Sequence, residues 1–242
     1  MVFSGAVFLY AFLPLTLAVY ALAPQRGRNA VLLIASLLFY AFGEPVYVLL
    51  LLLSSVSNWA LSLCIERRRG TRTAKLALAV SVLLNLGLLG FFKYADFFLT
   101  TVNGLFGLSL PLTGVRLPLG ISFYTFQIIS YLVDVYRRET KAEKSLISLG
   151  TYLCMFPQLI AGPIVNYHLI QEQLHKRKHS MVKVESGLKV FALGLAYKVL
   201  LANRVGHLWT EVTAIGYESI STPLAWMGAF GYSLELYFDF AG

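Results

Sequence analysis

The sequence predicts an all-α protein, a polytopic integral membrane helical bundle with one broken, re-entrant segment. Three observations carry this. First, 57% of the 242 residues are hydrophobic and only 13% are charged, whereas soluble domains carry about a quarter charged residues. Second, Met1–Gln25, Pro45–Ile65 and Leu76–Phe92 contain no Asp, Glu, Lys or Arg, and roughly 20 mostly apolar residues cross a bilayer as a helix. Third, the apolar runs are continuous. A transmembrane barrel would alternate in segments of about ten residues, and a backbone in lipid must satisfy its own hydrogen bonds, which helices do.

Taken in order, the expected helices cover about 2–23, 29–43, 45–65 and 74–92. The first has no basic leader and an apolar run longer than a cleavable signal uses. It is expected to stay, bent at Pro14. The loop holding Arg26 and Arg28 and the loop "ERRRGTRTAK" are basic, and "GEP" between them is not. The positive-inside rule then puts the basic loops in the cytoplasm and the N-terminus outside. The same rule accounts for the net charge of +8 without nucleic acid. "FFKYADFFLTTVNGLFGLSLPLTGVR" reads as an outer interfacial helix followed by a turn. Leu117–Tyr136 crosses inward and ends in Arg137, Arg138, Lys141 and Lys144.

The alternation breaks next. Ser145–Ala161 is apolar, yet basic clusters flank it on both sides, "HKRKHSMVK" being the second. A segment that enters and leaves on one face resolves this, with Pro157, Gly162 and Pro163 at the break. Irregular backbone at membrane depth needs protein or a water-filled cavity around it, so a cavity open to the cytoplasm is expected near residues 118–164. Residues 184–203 then cross outward, with Lys189 and Lys198 near the ends, and His207 begins an outer loop. Residues 223–242 return, carrying Glu235 and Asp239. The whole reads as a single membrane domain, 1–242, with no repeat and no linker.

At 100° per residue, Gly120, Tyr124, Gln127, Tyr131, Asp134 and Arg138 share about 80° of arc. Such a stripe cannot face hydrocarbon cheaply. Either it bonds helix to helix or it lines a passage. Asp134 reads as an interfacial salt-bridge partner. Cys64 and Cys154 sit in apolar segments and read as small hydrophobes. His175 and His179 are four apart, but no third ligand accompanies them, so no metal site is expected. His168, His175, His179 and His207 read as surface or interface residues. Glu235 and Asp239 lie four apart and read equally as functional or as near-surface acids.

"LPLGISFYTFQIISYLVDVYRRE" (117–139) and "MFPQLIAGPIVNY" (155–167) resemble hallmark segments of the membrane-bound O-acyltransferase family, in its bacterial alginate O-acetylation branch. "FFKYADFF" (91–98) and "YFDFAG" (237–242) are similar to that branch too, so the likeness runs the length of the chain. The resemblance implies a helical fold with a tunnel. Its walls here would include Pro118, Gly120, Ser122, Tyr124, Gln127, Tyr131, Pro157, Gln158, Gly162 and Pro163. It implies acyl transfer, mainly O-acetylation of a secreted polysaccharide, from a cytoplasmic thioester such as acetyl-CoA, with extracytoplasmic acetyltransferase partners and no bound cofactor. D-alanyl transfer to teichoic acid on the same fold, a transporter or a non-catalytic scaffold are the alternatives. The family's histidine region, with its "WRRWHIS"-like stretch, has no match. The chain is therefore expected to be an N-terminal portion with no catalytic residue and no activity alone.

Overall fold

The structure, a computed structural model, describes residues 3–159, 162–177, 180–216 and 219–242. These are helical, without strands among the described residues. The chain divides into two compact units. One is Phe12–Arg177; the other joins Val2–Ala11 to Lys178–Gly242.

The first unit begins with α1 (Leu13–Leu22) and α2 (Arg28–Gly43). Pro14 stands in the first turn of α1, where its missing N–H is no loss. The irregular turn is the π-helical stretch Phe8–Phe12 just before it, and Pro14, where a bend was expected, stands at the start of regular helix. Glu44, which precedes Pro45, leaves the helical region (φ −137°, ψ 68°) and ends α2. α3 spans Tyr47–Arg67. Thr71 then caps α4 (Arg72–Phe106), its hydroxyl accepting from Ala74 N.

α4 corrects an expectation. It is one helix of 35 residues, not a span followed by a separate interfacial helix. Lys93, Asp96, Thr100 and Asn103 are polar but none breaks a helix. Termination waits for Gly107, which takes the left-handed conformation (φ 64°) that a C-terminal cap requires. α3 and α4 are both long and apolar enough to cross a membrane, with mean hydropathy 2.0 in each. Neither is a core helix, since Leu49, Leu53, Leu83 and Leu84 are among their exposed side chains.

α5 (Ile121–Arg137) starts from Gly120 at φ 75° and ends at Arg138, also left-handed at φ 69°. α6 (Leu146–Cys154) is capped by Ser145. The helix breaks at Met155 (φ −49°, ψ 113°), ahead of Pro157. A single turn, α7 (Phe156–Leu159), an irregular stretch and α8 (Tyr167–His175) follow. At Gly162 a Cβ would stand 2.5 Å from Gln158 Cα, so only glycine fits there. The expected broken segment 145–161 includes residues 160–161, which lie outside the described residues.

α2 packs on α6, and α3 on α4, α5 and α6. Leu51, Ile65, Ile128, Leu132, Leu149, Leu153 and Cys154 fill the space between them. Asn58 and Asn85 exchange side-chain hydrogen bonds (2.7 and 3.2 Å) between α3 and α4. At one end of this unit, Tyr47 Oη donates to Arg116 O (2.9 Å) and Tyr40 Oη to Leu119 O (3.0 Å).

The second unit contains α9 (Met181–Ala196), a π-helical turn (Tyr197–Ala202), α10 (Asn203–Ile215) and α11 (Thr222–Ala241). His207 lies inside α10, so the outer loop expected to begin there is helix. Arg204 and His207 look like a span's end in sequence, but nothing there stops a helix. α11 packs antiparallel along this run. Gly206 faces Glu235, Leu208 faces Gly231, and Val212 faces Gly228. Lys198 pairs with Asp239.

Candidate functional site

Arg28, Arg69 and Arg177 are drawn into hydrogen bonds and ring contacts at one end of the first unit. Arg177 Nη2 donates to Asn29 Oδ1 (2.6 Å), and Arg28 and Arg177 both lie over the Tyr20 ring. Asn29 Nδ2 donates to Ser148 Oγ and to Leu174 O, each at 3.0 Å. Arg69 Nη2 donates to Thr140 O (3.3 Å). Basic clusters on either side of α6 thus meet the loops before α2 and before α4.

Within this end, the connection from α5 to α6 is built around a carboxylate. Glu143 is 5% exposed. Its backbone N–H donates to Tyr131 Oη (2.8 Å), which itself donates to Ser62 Oγ (3.3 Å). Its Oε1 accepts from Ser145 N (2.8 Å). Its Oε2 accepts from Tyr167 Oη at 2.5 Å and meets His175 Nε2 at 2.8 Å. A buried carboxylate needs such partners. Tyr167 is itself buried, and its phenol donates to this carboxylate. Glu66 accepts from Ala142 N (3.1 Å) and pairs with Arg69 (3.2 Å).

These groups border a cavity of about 780 Å³ lined by Trp59, Leu63, Glu66, Arg67, Lys141, Glu143, Lys144 and His175, among others. A second, of about 450 Å³, shares Trp59, Leu63 and Arg67 and adds Ala60, Cys64 and Arg68.

The sequence-predicted wall residues lie elsewhere in the same unit. None of them lines these two cavities. Tyr124, Gln127 and Tyr131 are buried on α5. Gln127 Nε2 donates to Tyr152 O (3.0 Å), and Tyr152 Oη to Val165 O (2.7 Å). The α5 stripe is thereby tied to the broken segment beyond α6. The rings of Tyr131, Tyr152 and Tyr167 pack within 4.9–6.4 Å of one another. The Tyr124 hydroxyl is buried with no hydrogen-bond partner among the described residues. Pro118 is buried before α5, Gly120 begins it, and Ser122 is half-buried in its first turn. Gln158 Nε2 donates to Pro163 O (3.1 Å); Pro157 and Pro163 are exposed and Gly162 is half-buried.

Asp134 carries no salt bridge among the described residues. It is buried, and its backbone oxygen accepts from Glu139 N (2.9 Å). Arg137 pairs with Glu139 instead (3.3 Å). The expected salt bridge does not form: Asp134 is buried, whereas the Arg137 side chain is exposed beside Glu139. His168 is exposed on α8, and His179 lies outside the described residues. No group of three or more His, Cys, Asp or Glu suited to a metal occurs among the described residues.

Sequence reasoning missed Glu143, Tyr167 and Trp59. The one available signal was the pair of acids in the basic stretch "RRETKAEK", the second of them close to an apolar helix, and it does not name its partners.

No family model matches the chain. Against known proteins it is 40% identical, over its whole length, to a probable alginate O-acetylase of Pseudomonas aeruginosa, of which it covers 47%. It is 33% identical over its whole length to a peptidoglycan O-acetyltransferase of Helicobacter pylori, covering 52% of that protein. Half of the chain (51%) is 27% identical to a teichoic acid D-alanyltransferase of Bacillus subtilis, covering 32% of it. The chain thus spans about half the length of the curated relatives that it matches from end to end. It belongs, across all 242 residues, with the N-terminal half of the alginate O-acetylases, the bacterial branch of the membrane-bound O-acyltransferase family that its motifs resemble.

Proposed function

We propose that these residues form part of a multi-pass O-acyltransferase of the bacterial inner membrane that transfers acetyl groups to a polysaccharide outside the cytoplasm. The observation that carries this is the 40% identity, without a gap in coverage, to an alginate O-acetylase. The peptidoglycan O-acetyltransferase among the relatives keeps the acceptor at the level of a polysaccharide rather than alginate alone. The teichoic acid match covers only half of the chain and gives D-alanyl transfer less support.

In this reading, the end where Arg28, Arg69, Lys141, Lys144 and Arg177 gather faces the cytoplasm, and the N-terminus lies outside. α6, the break at Met155 and α8 form a re-entrant excursion. Its support is that Asn29 bonds both to Ser148, near the start of α6, and to Leu174, near the end of α8. Tyr124, Gln127, Tyr131 and the Pro157–Pro163 turn form the wall of a passage for the acyl group, and the unpartnered Tyr124 hydroxyl would face it. A cytoplasmic thioester such as acetyl-CoA supplies the acetyl group. Extracytoplasmic acetyltransferase proteins take part in delivery to the polymer.

The test is a chimera in which residues 1–242 replace the homologous half of the Pseudomonas aeruginosa protein, in cells lacking that protein. Acetyl esters on exported alginate should return. A chimera that accumulates in the membrane but restores none, while the native half does, would overturn the proposal.

A further inference from the structure

Both ends of α8 reach one atom. Tyr167 opens this helix and His175 closes it, about 12 Å apart along the axis at 1.5 Å per residue. Yet Tyr167 Oη and His175 Nε2 both meet Glu143 Oε2, at 2.5 and 2.8 Å. One carboxylate oxygen thus ties the helix to the connection between α5 and α6. The two ends differ in burial. Tyr167 is fully buried and packs on the rings of Tyr131 and Tyr152. The His175 side chain is 49% exposed, against 4% for Glu143, and both residues line the cavity of about 780 Å³. The imidazole therefore meets solvent, and the carboxylate does not.

Glu143 also accepts from Ser145 N, and its own N–H donates to Tyr131 Oη. Among all these partners, imidazole is the group whose charge ordinarily changes between about pH 5 and 8. Other charges face the same cavity: Glu66 and Arg67 from α3, and Lys141 and Lys144 from the connection. Glu66 favours a proton on His175, and the three cations oppose it. Arg69 is drawn to Glu66 (3.2 Å). On α8 itself the remaining charged residues are His168 and Glu172; Lys176 and Arg177 follow it, with Arg177 bonded to Asn29. Among the described residues, Glu143 is the one group that forms an ion pair with His175.

We propose that His175 is a proton-operated latch: a proton taken from solvent closes the last turn of α8 onto Glu143 at the cavity, and its loss releases that turn. Protonated imidazole makes a charge-assisted bond to the buried carboxylate. Neutral imidazole donates a weaker bond in one tautomer and none in the other. The closed form thus binds more protons than the open one, so falling pH closes the latch and rising pH opens it. The opposite end stays fixed, because Tyr167 donates without titrating in this range and is buried among rings. Asn29 Nδ2 to Leu174 O (3.0 Å) and Thr140 Oγ1 to Gln171 Oε1 (3.1 Å) do not titrate either. Release therefore loosens one end of α8 without detaching the helix.

The test is amide hydrogen exchange of the 242-residue chain in phosphatidylcholine nanodiscs, at about pH 6 and about pH 8.5, on either side of the histidine range. Rates are corrected for the intrinsic effect of pH on exchange. Protection in the last turn of α8 should fall about fivefold at the higher pH, as exchange of a charge-assisted for a neutral hydrogen bond implies. His175→Gln keeps a neutral donor and should give the low, alkaline level of protection at both pH values. Glu143→Gln keeps an acceptor without charge and should abolish the pH dependence too. His168→Gln, exposed on the same helix, should behave as the parent does. Unchanged protection in α3 shows that each variant is folded; if Glu143→Gln is not, His175→Gln decides. Equal protection of the parent at both pH values overturns the proposal. So does a pH dependence that survives in His175→Gln or in folded Glu143→Gln. The latch involves no acyl transfer, so failure here is separable from failure of the chimera.

Discussion

The two units treat polar residues within apolar helices in opposite ways. In Phe12–Arg177, buried Asn58, Asn85, Gln127, Tyr131 and Glu143 are each bonded to another element, often through several atoms. In the second unit, α9 has no buried residue, and the buried positions of α10 and α11 are Gly206, Val212, Gly228 and Gly231. There α10 and α11 meet by close approach at glycines, and among the described residues the one ion pair joining them to their neighbours, Lys198–Asp239, is about a third exposed or more on each side chain. Lipid offers no hydrophobic drive for helix association, so packing and hydrogen bonds supply it. The first unit uses hydrogen bonds heavily, and the second relies on packing.

That contrast ranks what each unit loses when a carboxylate is removed. Glu143→Ala leaves the fully buried Tyr167 hydroxyl and the Ser145 N–H without their acceptor, and frees His175. The expected loss is about 2–3 kcal/mol, read as a lower melting temperature in detergent and reduced accumulation of a tagged chain. Glu143→Gln keeps one acceptor oxygen and should lose less. Asp239→Asn, in the second unit, removes only a partly exposed pair and should lose under about 1 kcal/mol. Equal losses from Glu143→Ala and Asp239→Asn would erase the distinction between the units.

Much of the first unit was legible in the sequence, because uncharged runs and a 100° polar stripe depend on local order alone. The buried face of α5 follows from that periodicity. Helix continuity was harder to read. Polar residues after Phe92 and after Asn203 looked like the ends of spans. Yet a helix stops at Pro, at a left-handed Gly or at a cap, and none of these occurs before Gly107 or Gly216. The carboxylate hub was not legible. Ser62, Tyr131, Glu143, Tyr167 and His175 come from four stretches of chain, and no spacing within any stretch implies the others. The Asp134 salt bridge failed for a related reason, since Asp134 is buried and Arg137 pairs with Glu139, a partner beyond the helix end that helical spacing does not supply.

The smallest effect sharpens the comparison at the far end of the first unit, where hydrogen bonds organise even an exposed loop. Asp96 Oδ1 accepts from Thr113 N (2.7 Å) and Thr113 Oγ1 (2.6 Å), and Oδ2 accepts from Gly114 N (3.1 Å). Asn103 brackets Leu110 in the same way, its Nδ2 donating to Leu110 O and its Oδ1 accepting from Leu110 N, both at 2.9 Å. Residues 108–117 are exposed throughout, so no apolar burial competes with these bonds in holding the loop to α4. Asp96→Ala should therefore raise amide hydrogen exchange at Thr113 and Gly114 and open the loop to protease, with no measurable change in melting. Leu110, held separately by Asn103, should keep its protection. If Thr113 stays protected in the variant, the loop is held by something other than this carboxylate. The rule that side-chain hydrogen bonds organise the first unit would then stop at its buried core.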